Sequence, residues 1–119
     1  MPGLRTITRR VLTVGLLSVA ASAEAAGFLT GDDLYHELAI PGYTEGVGFG
    51  YIQGVVDAAG SGRPTSMDRC FSIPGDVEAQ QIEDVVRRYL DQHPATRQYS
   101  AAWLVEDALQ EAFPCQKAK

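Results

Sequence analysis

The sequence predicts an all-α fold, a small bundle of four to five helices stapled by one disulfide. Three observations carry that prediction. Apolar residues recur at helical spacing in four stretches of the chain. No alternating run of apolar and polar residues is long enough to require a strand, and no internal repeat is present. Turn formers and prolines separate the helical stretches, and Cys70 and Cys115 are available to staple a chain whose core must be modest.

The first 23 residues belong to none of these helices. They hold Arg5, Arg9 and Arg10, no acids, an apolar run from Val11 to Ala21 and the small-residue triplet Ala21-Ser22-Ala23. That order reads as a removable secretory signal peptide. The apolar core is near half the roughly 20 residues that a membrane anchor needs. The mature chain, residues 24–119, is therefore expected to be exported, soluble and free of the membrane. Cleavage after Ala23 is preferred to cleavage after Ala25. Thr8-Arg9-Arg10-Val11-Leu12 loosely echoes a twin-arginine signal, so both the general secretory and the twin-arginine route stay open.

The mature residues read as one domain. Thr30 offers a hydroxyl to cap a first short helix, with Asp32 and Asp33 where the helix dipole favours acids, and this helix should reach about Leu38. Gly42 breaks it. From about Thr44, Val47, Tyr51, Val55 and Ala58, with Ile52 and Ala59 alongside, predict a second helix ending at Gly60. Gly46, Gly50 and Gly54 bare the backbone on one face of it, where close helix packing is expected. A nucleotide-loop reading of Gly46-x-Gly48 fails because no strand precedes it.

Residues 60–69 combine turn formers with polar groups and read as a surface loop that ends at Cys70. After Pro74-Gly75, with Asp76 as the expected cap, Val77, Ile82, Val85, Val86, Tyr89 and Leu90 mark a third helix that stops before Pro94. Glu83, Asp84, Arg87, Arg88 and Asp91 are assigned to its outer face. Ser100 is the expected cap of a fourth helix, whose stripe of Ala101, Leu104, Val105, Ala108, Leu109 and Ala112 ends at Pro114.

Export places Cys70 and Cys115 in an oxidising setting, so they are expected to pair. The bond would close a long loop and stabilise the fold by about 4 kcal/mol on the chain-entropy model. Redox chemistry would favour Cys-x-x-Cys spacing and a metal site would want more ligands. Three of the ten Lys/Arg and none of the fifteen Asp/Glu lie in residues 1–23, so cleavage moves the formal net charge from −5 to −8. Such acidity makes nucleic acid a poor partner and a cationic protein surface a better one.

No catalytic constellation is visible. His36 and His93 stand in no metal or catalytic spacing, and Ser61, Ser66, Ser72 and Ser100 lie in loops or caps without a nucleophile elbow. The pairs Asp32/Asp33, Glu83/Asp84 and Glu106/Asp107 are sequence neighbours, which diverge on a helix. No catalytic, cofactor or metal site is expected, and binding by shape and charge is the leading class.

Five stretches in register carry a resemblance. They are Phe28-Leu29-Thr30-Gly31-x-Asp33-Leu34; Gly50-Tyr51-Ile52-x-Gly54-Val55-x-Asp57-Ala58; Val85-Val86-x-x-Tyr89-Leu90 with His93-Pro94; Ala101-Ala102; and Glu111-Ala112-Phe113-Pro114-Cys115. Together they cover nearly the whole mature chain, which resembles the Rap/Tai family of immunity proteins that neutralise peptidoglycan amidases delivered by type VI secretion. Members of that family often carry a second cysteine pair, at places taken here by Leu38 and Gly48.

The resemblance implies a fold similar to the acid-stress chaperone HdeA. It also implies action in the periplasm, often as a homodimer, by filling the substrate cleft of an amidase effector. A protruding loop with complementary charge suffices for that. The expected partner contacts are Arg63, Thr65, Met67, Asp68 and Arg69, with Arg87 and Arg88 as weaker candidates. Two other readings stay open: a periplasmic chaperone of the HdeA kind, which should loosen as its carboxylates lose charge in acid, and a structural role without a toxin partner.

Overall fold

The computed structural model describes residues 3, 29–60, 62 and 69–116. The expected signal peptide and the candidate contacts Arg63, Thr65, Met67 and Asp68 lie outside them. Four α-helices follow in order: α1 (Gly31–Ala39), α2 (Tyr43–Ala59), α3 (Ala79–Gln92) and α4 (Ala101–Ala112), with a 3-10 turn at Pro94–Thr96. Among the described residues there is no strand. β pairing is limited to two isolated bridges, Thr30 with Ser100 and Phe71 with Pro114. The all-α expectation holds.

α1 starts on a reciprocal cap. The Asp33 amide donates to the Thr30 hydroxyl at 3.2 Å, and the Thr30 amide donates to the Asp33 carboxylate at 2.9 Å. Hydrogen bonds from the Thr30 backbone and side chain hold the Asp33 carboxyl below its ordinary value of 3.8. A carboxyl with a depressed folded pKa stabilises above its unfolded pKa, and that contribution is lost as pH falls through the folded value. Asp33→Asn is therefore expected to flatten the acid limb of stability below about pH 4, the ordinary range of the carboxyl. Urea denaturation of both proteins across that limb checks it; parallel limbs would contradict it.

The chain leaves α1 through Gly42, whose φ of 98° suits glycine. On α2 the buried face is Gly48 and Ile52, flanked by Tyr51, Val55, Val56 and Ala59. The expected stripe through Val47 and Ala58 is therefore rotated, because Val47 is 42% exposed and Ala58 faces solvent. The close approach occurs at Gly48, not at Gly46, Gly50 or Gly54. A β-carbon on Gly48 would stand 3.0 Å from the Leu38 side chain, whereas the other three have open space. Leu38 and Gly48 are thus neighbours in the packing of α1 against α2.

α3 is capped by Glu78, whose amide donates to the Gln81 side chain at 2.8 Å. The expected cap, Asp76, lies one turn earlier, in a turn closed by the Val77 amide on the Pro74 carbonyl. Glu83 also departs from expectation, being 3% exposed beside Val86 and Leu90 instead of on the outer face. At α4, Ser100 holds the cap position but its hydroxyl makes no cap hydrogen bond. Its backbone joins a short cross-link instead. The Gly31 amide donates to Tyr99, Asp32 to Arg97 and Ala101 to Leu29, each at 2.9 Å.

This cross-link explains Gly31. A β-carbon there would collide with Leu104 and approach the Arg97 carbonyl at 2.9 Å. Gly31→Ala is expected to cost roughly 1–3 kcal/mol through overpacking, whereas Gly50→Ala, free of neighbours, should gain up to about 1 kcal/mol from helix propensity. Chemical denaturation of the two variants should move in opposite directions.

The core joins Leu34 and Leu38 of α1, Ile52 of α2, Phe71, Val86 and Leu90 of α3, and Ala101, Leu104, Val105, Ala108 and Leu109 of α4. Cys70 and Cys115 form the expected disulfide, with Cα atoms 5.5 Å apart. Phe71, fully buried, follows Cys70, and the Ser72 amide donates to the Phe113 carbonyl at 2.8 Å. The bond therefore fastens the chain ahead of α3 to the end of α4.

Candidate partner-binding surface

The described residues at the two ends of the loop predicted for 60–69 form a stem fixed at three points. The Gly62 amide donates to the Phe71 carbonyl at 2.7 Å. The disulfide holds Cys70 against Cys115. Arg69 reaches α4, where its Nε donates to the Asp107 carboxylate. Its side chain keeps only 15% of its exposure, so Arg69 serves mainly as an anchor of the stem.

Arg69 also floors a cleft of about 280 Å³ lined by Tyr89, Thr96, Tyr99, Trp103, Leu104 and Asp107. Tyr99 and Trp103 are 49% and 37% exposed. Burial pushes the Tyr89 hydroxyl above its ordinary pKa, the Asp107 and Glu111 carboxylates push it further, and Arg69 pulls it back. Tyr89 continues into a second groove of about 200 Å³ with Arg88 and Glu111. His93, the C-cap of α3, stacks on the Tyr89 ring with centroids 4.0 Å apart.

The other two candidates lie elsewhere. Arg87 donates to Glu45 of α2 at 2.9 Å and to the buried Glu83 carboxylate. Burial lowers its pKa, but the bonds and charges of the two glutamates more than reverse this and hold it above its ordinary value. Arg88 is exposed and borders both the Tyr89 groove and one of about 450 Å³ lined by Tyr35, Ala39, Asp84, Arg87 and Asp91. Arg69 and Arg87 thus turn toward different helices and form no single basic patch.

Sequence reasoning missed Tyr89, Tyr99, Trp103 and Asp107 as a group. One signal was available: Tyr99 and Trp103 are large aromatics outside the stripe that predicts the buried face of α4. Among the described residues no group of three or more His, Cys, Asp or Glu is placed to hold a metal ion. His36 is exposed and His93 caps a helix end.

The described residues thus form a disulfide-stapled helical domain with an aromatic cleft beside Arg69. A family model for Rap1a immunity proteins matches residues 21–115. The chain belongs to that family, which supports the resemblance drawn from the five sequence stretches. Membership suggests an immunity protein for a secretion-system effector, acting by binding without catalysis. No curated protein matches the chain.

Proposed function

We propose that the mature chain is a periplasmic inhibitor that binds and blocks a peptidoglycan amidase effector of a type VI secretion system. Family membership supports the immunity role. The observation that carries the mode of binding is the stem, because Gly62–Phe71, Cys70–Cys115 and Arg69–Asp107 fix both ends of one loop. Tying the two ends of a segment together lowers the conformational freedom that the segment has to lose on binding. Export through a signal peptide cleaved after Ala23 brings the inhibitor to the compartment where a wall hydrolase acts, and a homodimer is compatible with this role.

Calorimetric titration of the purified protein against the wall hydrolase encoded beside its gene tests the reading. Binding with loss of amidase activity is expected, and replacing Arg63, Met67 and Asp68 together by alanine should weaken it at least tenfold, as truncation of central contacts does. A wild-type protein that neither binds nor inhibits would refute it. Mass spectrometry of the mature N-terminus checks the cleavage position and the export on which the reading depends.

A further inference from the structure

The cleft floored by Arg69 gathers polar groups from three parts of the fold around exposed aromatic rings. Tyr89 comes from α3, Thr96 from the 3-10 turn, and Trp103 and Asp107 from α4, with Tyr99 between the last two elements. Neither sign of charge is left free there. The Arg69 Nε donates to Asp107 Oδ1, and Arg69 Nη1 is buried, so the guanidinium does not present that atom to the cleft. The groups that remain are of both hydrogen-bonding kinds. The Trp103 indole N–H only donates, the Tyr89 and Tyr99 hydroxyls donate and accept, and Asp107 Oδ2, which no described residue bonds, accepts. Thr96 also accepts, because its own proton is spent on the His93 carbonyl at 3.1 Å.

We propose that this cleft binds one ring of a neutral saccharide. A pyranose presents apolar C–H faces that lie on aromatic rings, and hydroxyls around its edge that each donate and accept. The exposed rings of Tyr99 and Trp103 suit the first, and the mixed donors and acceptors of the cleft suit the second. Other occupants leave something unmet. An ion of either sign would sit beside the like member of the Arg69–Asp107 pair and gain little from the other, which is already bonded. A purely apolar side chain would strip water from all of these polar groups and return no hydrogen bond to any of them. A phenol or amide side chain brings one or two polar groups, too few for donors and acceptors drawn from α3, the 3-10 turn and α4. At about 280 Å³ the cleft is smaller than a site for a drug-sized ligand and holds a single ring, so further rings of a chain would extend over its rim.

Trp103 is the one tryptophan of the chain, so its fluorescence reports on the cleft alone. The oxidised protein is titrated with sugar trimers of like size: neutral trimers of N-acetylglucosamine and of glucose, a cationic trimer of glucosamine and an anionic trimer of galacturonic acid. A saturable change in emission is expected with a neutral trimer, with the same affinity at low and high salt. Both charged trimers should bind at least about threefold more weakly, the size of a surface charge interaction. Tyr99→Ala, at an exposed position that leaves the reporter in place, should weaken the neutral trimer by about two- to tenfold, the range of one aromatic contact. The matching monosaccharide separates the sources: equal affinity marks a free sugar as the ligand, and tighter binding of the trimer marks a glycan chain.

No saturable change with either neutral trimer overturns the proposal. So does tighter binding of a charged trimer, or an affinity unchanged by Tyr99→Ala. An equal response to a blocked glycine-tyrosine-glycine peptide, which would mark a site for an aromatic side chain of a protein partner, overturns it too. An emission change on dilution without sugar does the same, since it would mark a second copy of the chain. Saccharide binding is read with no hydrolase present, so its failure leaves the proposed function standing, and failure of a hydrolase to bind leaves the cleft standing.

Discussion

Replacing both Cys70 and Cys115 by serine is expected to destabilise the protein by about 4 kcal/mol on the chain-entropy model, because the bond spans 45 residues of sequence. At roughly 4–8 °C per kcal/mol for a domain of this size, the melting temperature should fall by about 20 °C or more. Two features make loss of the bond costly in the folded state as well. Phe71, the fully buried residue next to Cys70, is held by the same short pairing that joins Ser72 to Phe113. Among the described residues no helix follows Pro114, and the segment up to Gln116 depends on this pairing to stay against the core. Thermal melts with and without reductant check the size of the effect, and coincident melts would contradict it. Hydrogen exchange should show the loss of protection first in residues 70–72 and 113–115, since the core of α3 and α4 stays packed through Val86, Leu90, Val105 and Leu109.

What could be read from the sequence depended on how local the cause was. The cap of α1 needs only Thr30 and Asp33, three residues apart, and its place was visible, although Asp33 was read for its charge and not for the bond it returns to Thr30. α4 declares its buried face because apolar residues occupy one side of it. α2 does not, since Tyr43, Val47 and Ala58 stand opposite Ile52 and leave two faces of similar hydropathy. Packing against Leu38 at Gly48 decides between them, and that contact is tertiary. Glu83 was misplaced for a related reason. A carboxylate reads as solvent-facing until a cation comes to meet it, and the Arg87 side chain one turn away, braced by Glu45 from another helix, does so. Ser100 resembles a cap, but the backbone cross-link to residues 29–32 takes over the end of the helix. The candidate site divides in the same way. Most of the predicted loop lies outside the described residues and Arg69 was singled out by its position alone, whereas the aromatic cleft assembles residues from α3, the 3-10 turn and α4 that no sequence spacing brings together.

Arg87→Ala should be the most damaging single change on the charged side of α3. It leaves the Glu83 carboxylate, whose side chain is 4% exposed, without its cation, while Glu45 is free to turn to water. Breaking a fully buried pair costs about 3–5 kcal/mol; Arg87 itself is 37% exposed, so water can reach the gap and an effect of about 2–3 kcal/mol is expected. Replacing both partners should behave differently. Glu83→Gln combined with Arg87→Met removes the charge and its counter-charge together while keeping most of the volume, and should return within about 1 kcal/mol of the wild type, because a buried ion pair often gains little over an apolar pair. Urea denaturation of Glu83→Gln, Arg87→Met and the double variant, run beside Arg87→Ala, gives the coupling directly. The same set settles whether Arg87 touches the partner. If Arg87→Ala weakens hydrolase binding and the stable double variant restores it, Arg87 acts through the fold by holding α2 and α3 together. If the double variant folds normally and still binds weakly, the guanidinium itself meets the effector, on the groove it shares with Arg88 and Asp84.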